Sequence, residues 1–431
     1  MQPVPFLSGH VLFLFLFQVG LLLAVAVGLG RLARHVGLPS LVGEIGAGII
    51  LGPSVLQNAW PGFASAVFPS QAEQFHLLDA VGQLGVLLLV AFAGTDLDMA
   101  AARRNSGKTL TISVFGLVVP LAAGVAVGFV LPQSLRGNES NDSSFVLFVG
   151  VALCVSAIPV IAKTLTDMGL MHRNVAQLTL GAAIVDDTVA WFLLSVVAAL
   201  AIGGLTTGTV ISVLAALLGT LLFALLIARP LIKRLMGWVT SKADPAHASA
   251  VTLVLVLLSA AGTHAVGLEA LLGAFLCGIL IRRYLPPKAA VMVPLRTVMT
   301  GVLAPVFFAT AGLRMDLTEL LEPSVALAAA TVLLVAIIGK FVGAYIGSRL
   351  SRLGRWEAVA VGSALNARGV VEIVIAMTGL RLGVISSEMF TIIVLVAIVT
   401  SLMAPPLLRF SMRRVSLTED ESKRKSEFYY A

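Results

Sequence analysis

The chain has 431 residues, 58% of them hydrophobic and 12% charged, with a net charge of +7 at pH 7. Such apolarity excludes an ordinary soluble domain, and no short alternating segments suggest a membrane β-barrel. The positive charges fall in short loops between apolar runs, where membrane topology accounts for them, so no nucleic-acid partner is inferred.

Repeated runs of about twenty apolar residues are each long enough to cross the hydrocarbon core. Breaks at charges, prolines and glycines predict thirteen spans. They lie near 10–32, 38–56, 78–97, 109–131, 145–166, 174–203, 209–232, 247–266, 268–285, 295–313, 324–349, 356–380 and 388–410. The first run has no basic residue before it and no small-residue cleavage site, so it reads as a retained helix. Basic loop residues alternate between sides: Arg31, Arg34, Arg103, Arg104, Lys108, Lys233, Arg234, Arg282 and Arg283 share one side with the Arg409–Arg414 region. The positive-inside rule therefore puts the N-terminus outside and the C-terminus in the cytoplasm, as an odd number of spans requires. Cys154 and Cys277 both lie in apolar runs and suggest no disulfide framework.

The fold class expected is an all-α polytopic membrane protein with about thirteen transmembrane helices in inverted repeats. Residues 1–203 form the first repeat half, 204–240 a linker helix, 241–410 the second half, and 411–431 a short, solvated cytoplasmic tail. The repeat reading rests on two interrupted spans. "VALCVSAIPVIAKTL" (151–165) has Pro159 at its middle, and "GSALNARGVVEIVIA" (362–376) has Asn366, Arg368 and Gly369. Paired interrupted helices in corresponding positions point to an inverted-repeat transporter with its site at mid-membrane.

Most charges sit at span ends. Glu44, Asp186, Asp187, Lys340, Arg368 and Glu372 do not. A central acid or base costs roughly 2.5–3.5 kcal/mol on insertion scales, so these residues should face a protein interior and pair. Asp186 and Asp187 in "GAAIVDDTVAW" point about 100° apart on a helix and would titrate as a coupled set. A salt bridge to Lys340 that merely packs helices explains one aspartate but not its neighbour. Carboxylates so placed bind a small cation or protons, not both, which is the minimum chemistry of an antiporter. Arg368 and Glu372, four residues apart, could equally neutralise each other. Glu44 reads foremost as a packing residue, and Glu269 as lying near the interface.

"SAIPVIAKTLTDMGL" followed by "GAAIVDDTVAW" resembles the monovalent cation:proton antiporter-2 family of the sodium/hydrogen exchanger superfamily. The resemblance is strongest to its plant cation/H+ exchanger-like branch and to members encoded beside bacterial polyketide clusters. "PVFFATAGLRMDL", "IIGKFVGAYIGSRL" and "LNARGVVEIVIAMTGLRLGVIS" extend it in order over the membrane region. The resemblance implies the sodium/proton antiporter fold, with two crossing broken helices in a mobile core and elevator-type alternating access. It implies that Asp187 carries the monovalent cation and the proton, with Asp186 as its partner, salt-bridged to Lys340 in the empty or protonated part of the cycle. Ser156 or the backbone near Val155 would help coordinate the ion. Arg368 and Glu372 would offset half-helix dipoles. The large nucleotide-binding domain of the potassium efflux branch and the long tail of the plant branch have no counterpart in these residues.

The function expected is Na+ or K+:proton antiport by a homodimer in a bacterial plasma membrane, with no cofactor. A sodium-coupled organic-anion symporter of related fold is the alternative, and would want an apolar pocket with polar anchors. A channel filter, a nucleophile triad, a metal cluster and a phosphate loop are not found in the sequence, so no enzyme is expected.

Overall fold

The computed structural model describes residues 7–36, 38–69, 72–96, 106–138, 140, 142–203, 207–242, 245–285, 292–419 and 421–422. Among these the chain is helical, with one isolated β-bridge between Arg136 and Ile385. In chain order the helices are α1 (Gly9–His35), α2 (Ser40–Leu51), α3 (Pro61–Val67), α4 (Ala72–Asp96), α5 (Ser106–Val130) and α6 (Asp142–Cys154). Next come α7 (Ile158–Asp167), α8 (Asn174–Gly203), α9 (Thr207–Phe223), α10 (Arg229–Lys242), α11 (Pro245–Ala265) and α12 (Ala270–Arg282). The last are α13 (Val293–Val298), α14 (Ala304–Leu313), α15 (Pro323–Leu350), α16 (Arg355–Leu365), α17 (Val370–Arg381) and α18 (Ser387–Met412).

Among the described residues ten helical runs are long and apolar enough to cross a membrane, and α16 with α17, bent by 44° at their break, counts as an eleventh if the pair is one span. The shorter apolar helices α6 and α12 fall where two more spans are predicted. The protein is a multi-pass membrane protein, and its segments follow the predicted order. Two wide π-type turns, at Ala224–Ala228 and Met299–Leu303, join α9 to α10 and α13 to α14.

Contacts group the residues into two compact units that cut across the sequence halves. The first comprises Met1–Thr95, Leu226–Ala261 and Gly273–Glu319. It is held by close backbone approach: a side chain at Gly48 would overlap the carbonyl of Ala309, and one at Gly43 that of Leu29. Arg314 grips Asp79 through both carboxylate oxygens at 2.6 and 2.7 Å, and Gln18 donates to the Val67 carbonyl at 2.6 Å. Glu44 belongs to this unit, half-buried on α2 against Gly30 of α1.

The second unit comprises Asp96–Leu225, Gly262–Leu272 and Leu320–Ala431, and carries every other mid-span charge named above. Its frame is the pairing of α5 with α15. Gly339, Gly343 and Gly347 recur every fourth residue and so line one face of α15, the small-residue spacing that lets membrane helices approach. A side chain at Gly347 would come within 2.8 Å of the Ile112 Cα, and one at Gly343 would overlap the Phe115 carbonyl. This contact fixes Lys340, beside Gly339, against the helix that carries Ser113. Glu269 is tied to Arg381 at 2.6 Å, an ion pair half open to the surroundings on the arginine side.

The described part of the tail, as far as Ser422, is largely exposed, as expected of a solvated segment, but it is anchored at several points. Arg414 stacks over Trp356 and Phe410, 4.1 and 4.3 Å from the ring centres. Arg173 donates to the carbonyls of Val415 and Ser416, both at 3.0 Å. Glu421 accepts the Asn174 N–H at 2.7 Å, at the N-terminus of α8, and the Thr418 N–H at 2.9 Å. A segment too short to bury its own core still docks when it caps a helix whose first N–H groups lack partners. Burial pushes the Glu421 carboxyl up, but the N–H groups of Thr418 and Asn174 and the charge of Arg173 outweigh it and hold the group below the ordinary carboxylate range.

Two predictions arise here. Gly343→Ala lowers stability by about 2 kcal/mol or more through overpacking. Gly20→Ala, with open space around it, is neutral or stabilising by up to about 1 kcal/mol; thermal melts of the purified protein compare the two. Because the folded-state affinity of Glu421 for protons is depressed, its docking energy is present above the ordinary carboxylate range and is lost as the pH falls through it. A spin label at Ser422→Cys should be immobile at neutral pH and mobile in acid, whereas adding Glu421→Gln should free it at both.

Candidate ion-binding site

Two broken helices meet in the second unit. Helix α6 stops at Cys154, residues 155–157 are non-helical, and α7 starts at Ile158. Pro159 falls in the first turn of α7, where its missing N–H costs nothing, so the break lies just before it. Helix α16 stops at Leu365 and α17 starts at Val370. The Ala157 N–H donates to the Ala367 carbonyl at 3.1 Å, so the two breaks touch.

Each break leaves helix ends with unsatisfied backbone groups and a partial charge. At the carbonyl end of α6, Arg368 donates to Ala152 O at 3.1 Å and Leu153 O at 2.6 Å, and Lys340 to Cys154 O at 2.5 Å. Arg368 also donates to Ala336 O at 3.1 Å and to Glu372 Oε1 at 2.9 Å. Glu372 stands in the first turn of α17, where a negative charge suits the helix dipole. Ser401 donates to the Arg368 carbonyl, and Asn366 Nδ2 to Ile337 O at 3.3 Å. At the N–H end of α7, the Ile158 backbone donates to Asp187.

Asp186 and Asp187 sit mid-way along α8, both fully buried, and their surroundings differ. Asp186 is saturated. Its Oδ2 accepts Lys340 Nζ at 2.7 Å, and its Oδ1 accepts the Ser113 hydroxyl at 2.6 Å. Ser156 Oγ lies 3.2 Å from Asp186 Oδ2 and 3.0 Å from the Leu365 carbonyl, and its single proton serves one of them at a time. Asp187 has the Ile158 N–H, but its Oδ1 finds no hydrogen-bond partner among the described residues. Val155 is buried in the non-helical break beside Ser156.

Among the described residues of this crossing, the acids are Asp186, Asp187 and Glu372 and the bases Lys340 and Arg368. Asp186 answers Lys340 and Glu372 answers Arg368, so one acid is left over. It is Asp187, which also holds the unpartnered oxygen. An isolated buried carboxylate is too costly to persist bare, so it takes a proton or a cation.

The structure thus brings together Asp186, Asp187, Ser156, Val155, Lys340, Arg368 and Glu372. Glu44 lies in the other unit. Sequence reasoning missed Ser113, Asn366 as a crossing contact, and Ser401. A hydroxyl on an apolar helix carries no distinguishing signal; Ser113 could have been found only by pairing "IIGKFVGAYIGSRL" through its glycines with the span that holds it.

The family described as "Sodium/hydrogen exchanger, transmembrane" matches residues 21–414. The chain belongs to this family. "Cation/H(+) antiporter 19" of Arabidopsis thaliana is 30% identical over 398 residues, covering 91% of this chain and 49% of its own length. The chain thus spans about half the length of such plant relatives. "Na(+)/H(+) antiporter NhaS4" of Synechocystis is 30% identical over 93% of this chain and 98% of its own. "Na(+)/H(+)-K(+) antiporter GerN" of Bacillus cereus is 28% identical over 93% and 96%. The solved sodium proton antiporter MjNhaP1 from Methanocaldococcus jannaschii is 14% identical, with a TM-score of 0.70 over 94% of this chain and 99% of that one, and shares the fold. In this member of the exchanger family the expected antiporter fold and its crossing broken helices are present.

The Lys340–Asp186 pair generates a stability prediction. Removing one partner of a buried pair costs about 3–5 kcal/mol, while replacing both with neutral groups is often tolerated. Lys340→Met should lower the melting temperature sharply, and Lys340→Met with Asp186→Asn should recover most of the loss.

Proposed function

We propose that this chain is a monovalent cation:proton antiporter in which Na+ or K+ and H+ compete for Asp187. The observation that carries the reading is the surplus buried acid: two of the three carboxylates at the crossing answer a base, and Asp187 answers none. One monovalent cation or one proton restores neutrality there, and the two occupants exclude each other because they satisfy the same charge. The relatives named above are a cation/H+ antiporter, Na+/H+ antiporters and a Na+/H+-K+ antiporter by name, which supports a monovalent cation as cargo.

Asp187 is the carrier and the ligand of the cation. Ser156 and the Val155 backbone, in the non-helical break beside it, supply neutral oxygens, and Lys340 compensates Asp186 in the empty or protonated part of the cycle. Arg368 and Glu372 hold the half-helix ends in place and stay paired throughout. Access alternates in the elevator manner, the second unit moving as a body to offer Asp187 to one face of the membrane and then the other. The protein works as a homodimer in the plasma membrane of a bacterium, with its N-terminus outside and its C-terminus in the cytoplasm. The loop charges support that orientation.

The test uses proteoliposomes holding a proton-sensitive dye, with Na+, K+, Li+ or Rb+ added outside. Protons should move in response to at least one of these ions, and Asp187→Asn should abolish the response while leaving the protein folded. Full exchange in Asp187→Asn would overturn the reading. Uptake of a labelled organic anion with no proton response would replace it by the symporter.

A further inference from the structure

Ser113 is the least expected member of the site. Its hydroxyl is fully buried on α5 and donates to Asp186 Oδ1 at 2.6 Å, closer than the 3.2 Å of the Ser156 hydroxyl. The other hydroxyl near Asp186, that of Ser156, is shared with the Leu365 carbonyl. The ammonium of Lys340 is likewise shared, since it donates to Cys154 O as well as to Asp186.

These partners are not equivalent once a cation arrives. A positive ion at Asp187, the next residue along α8, repels the Lys340 ammonium and competes with it for the negative charge of the pair. When Lys340 withdraws, Asp186 is a buried carboxylate whose remaining donors are Ser113 and whichever share of Ser156 is free. Leaving a buried charged acceptor short of donors is more costly than losing one hydrogen bond among several. Ser113 therefore matters little while Lys340 is engaged and much when it is not.

We propose that Ser113 is a positioning residue for cation exchange: it holds Asp186 during the interval in which Lys340 has let go, and so sets how readily the site opens to a cation. The inference rests on the antiport reading above. It has a specific kinetic consequence. If the cation binds only the Lys340-withdrawn form, its apparent affinity is reduced by the fraction of protein in that form. Removing Ser113 shrinks that fraction, so the KM for the cation rises, while the loaded carrier, once formed, crosses the membrane as before.

The experiment is cation-driven proton movement in proteoliposomes, measured over a range of cation concentrations for the wild type, Ser113→Ala and Ser113→Thr. Ser113→Ala should raise KM about tenfold, the effect of losing one hydrogen bond to a charged group, with the maximal rate within about twofold of wild type. Ser113→Thr keeps the hydroxyl and should stay near the wild-type KM. An unchanged KM in Ser113→Ala would overturn the proposal, as would a fall in maximal rate with KM unmoved, since that marks simple damage to the fold. An equal rise in Ser113→Thr would overturn it too, because the hydroxyl would not be the cause. A wild type that moves no protons for any cation would instead remove the antiport reading itself.

Discussion

The structure is organised around one electrostatic constraint: charged groups buried at mid-membrane must be compensated one by one. Lys340 and Asp186 meet at 2.7 Å with neither exposed, and Arg368 and Glu372 meet at 2.9 Å. Pairing of this kind costs desolvation on both sides and is weak evidence for stability by itself. Its value here is what it leaves out. Once the pairs are made, Asp187 is the one acid among the described residues of the crossing that has no base paired with it.

The broken helices explain how the pairs are held. Backbone carbonyls at the end of α6 take both cations, so Lys340 and Arg368 are each anchored by main chain as well as by a carboxylate. The Ile158 N–H at the start of α7 does the converse for Asp187. The same interruption thus offers negative ends to the bases and a positive end to the acid. The glycine face of α15 contributes by drawing α5 close enough for a serine to reach Asp186.

Much of this was legible in the sequence because charges in apolar runs are conspicuous. The order of the apolar segments, the two interruptions and the residues Asp186, Asp187, Lys340, Arg368 and Glu372 could all be read from composition and spacing. The pairing partners were less open to such reading. Which aspartate faces Lys340 depends on helix rotation, which adjacent acids leave undetermined; resemblance to the family supplied the assignment, and the geometry has Lys340 on Asp186. Hydroxyls such as Ser113 and Ser401 have no signature on an apolar helix, because their role is created by what packs against them. The anchoring of the tail was missed for a different reason. Thr418 and Glu421 have capping-box spacing, but their polarity suggested solvent, and the bare N-terminus of α8 that Glu421 caps is distant in the chain.

The most direct measurement of the central claim is proton release on cation binding by the purified protein in weakly buffered detergent, followed by pH electrode as Na+ or K+ is added. If cation and proton compete for Asp187, the added ion displaces protons, less so at high pH where the site is already empty of them, and Asp187→Asn displaces none. Cation binding with no proton released at any pH, or release that persists in Asp187→Asn, would contradict it.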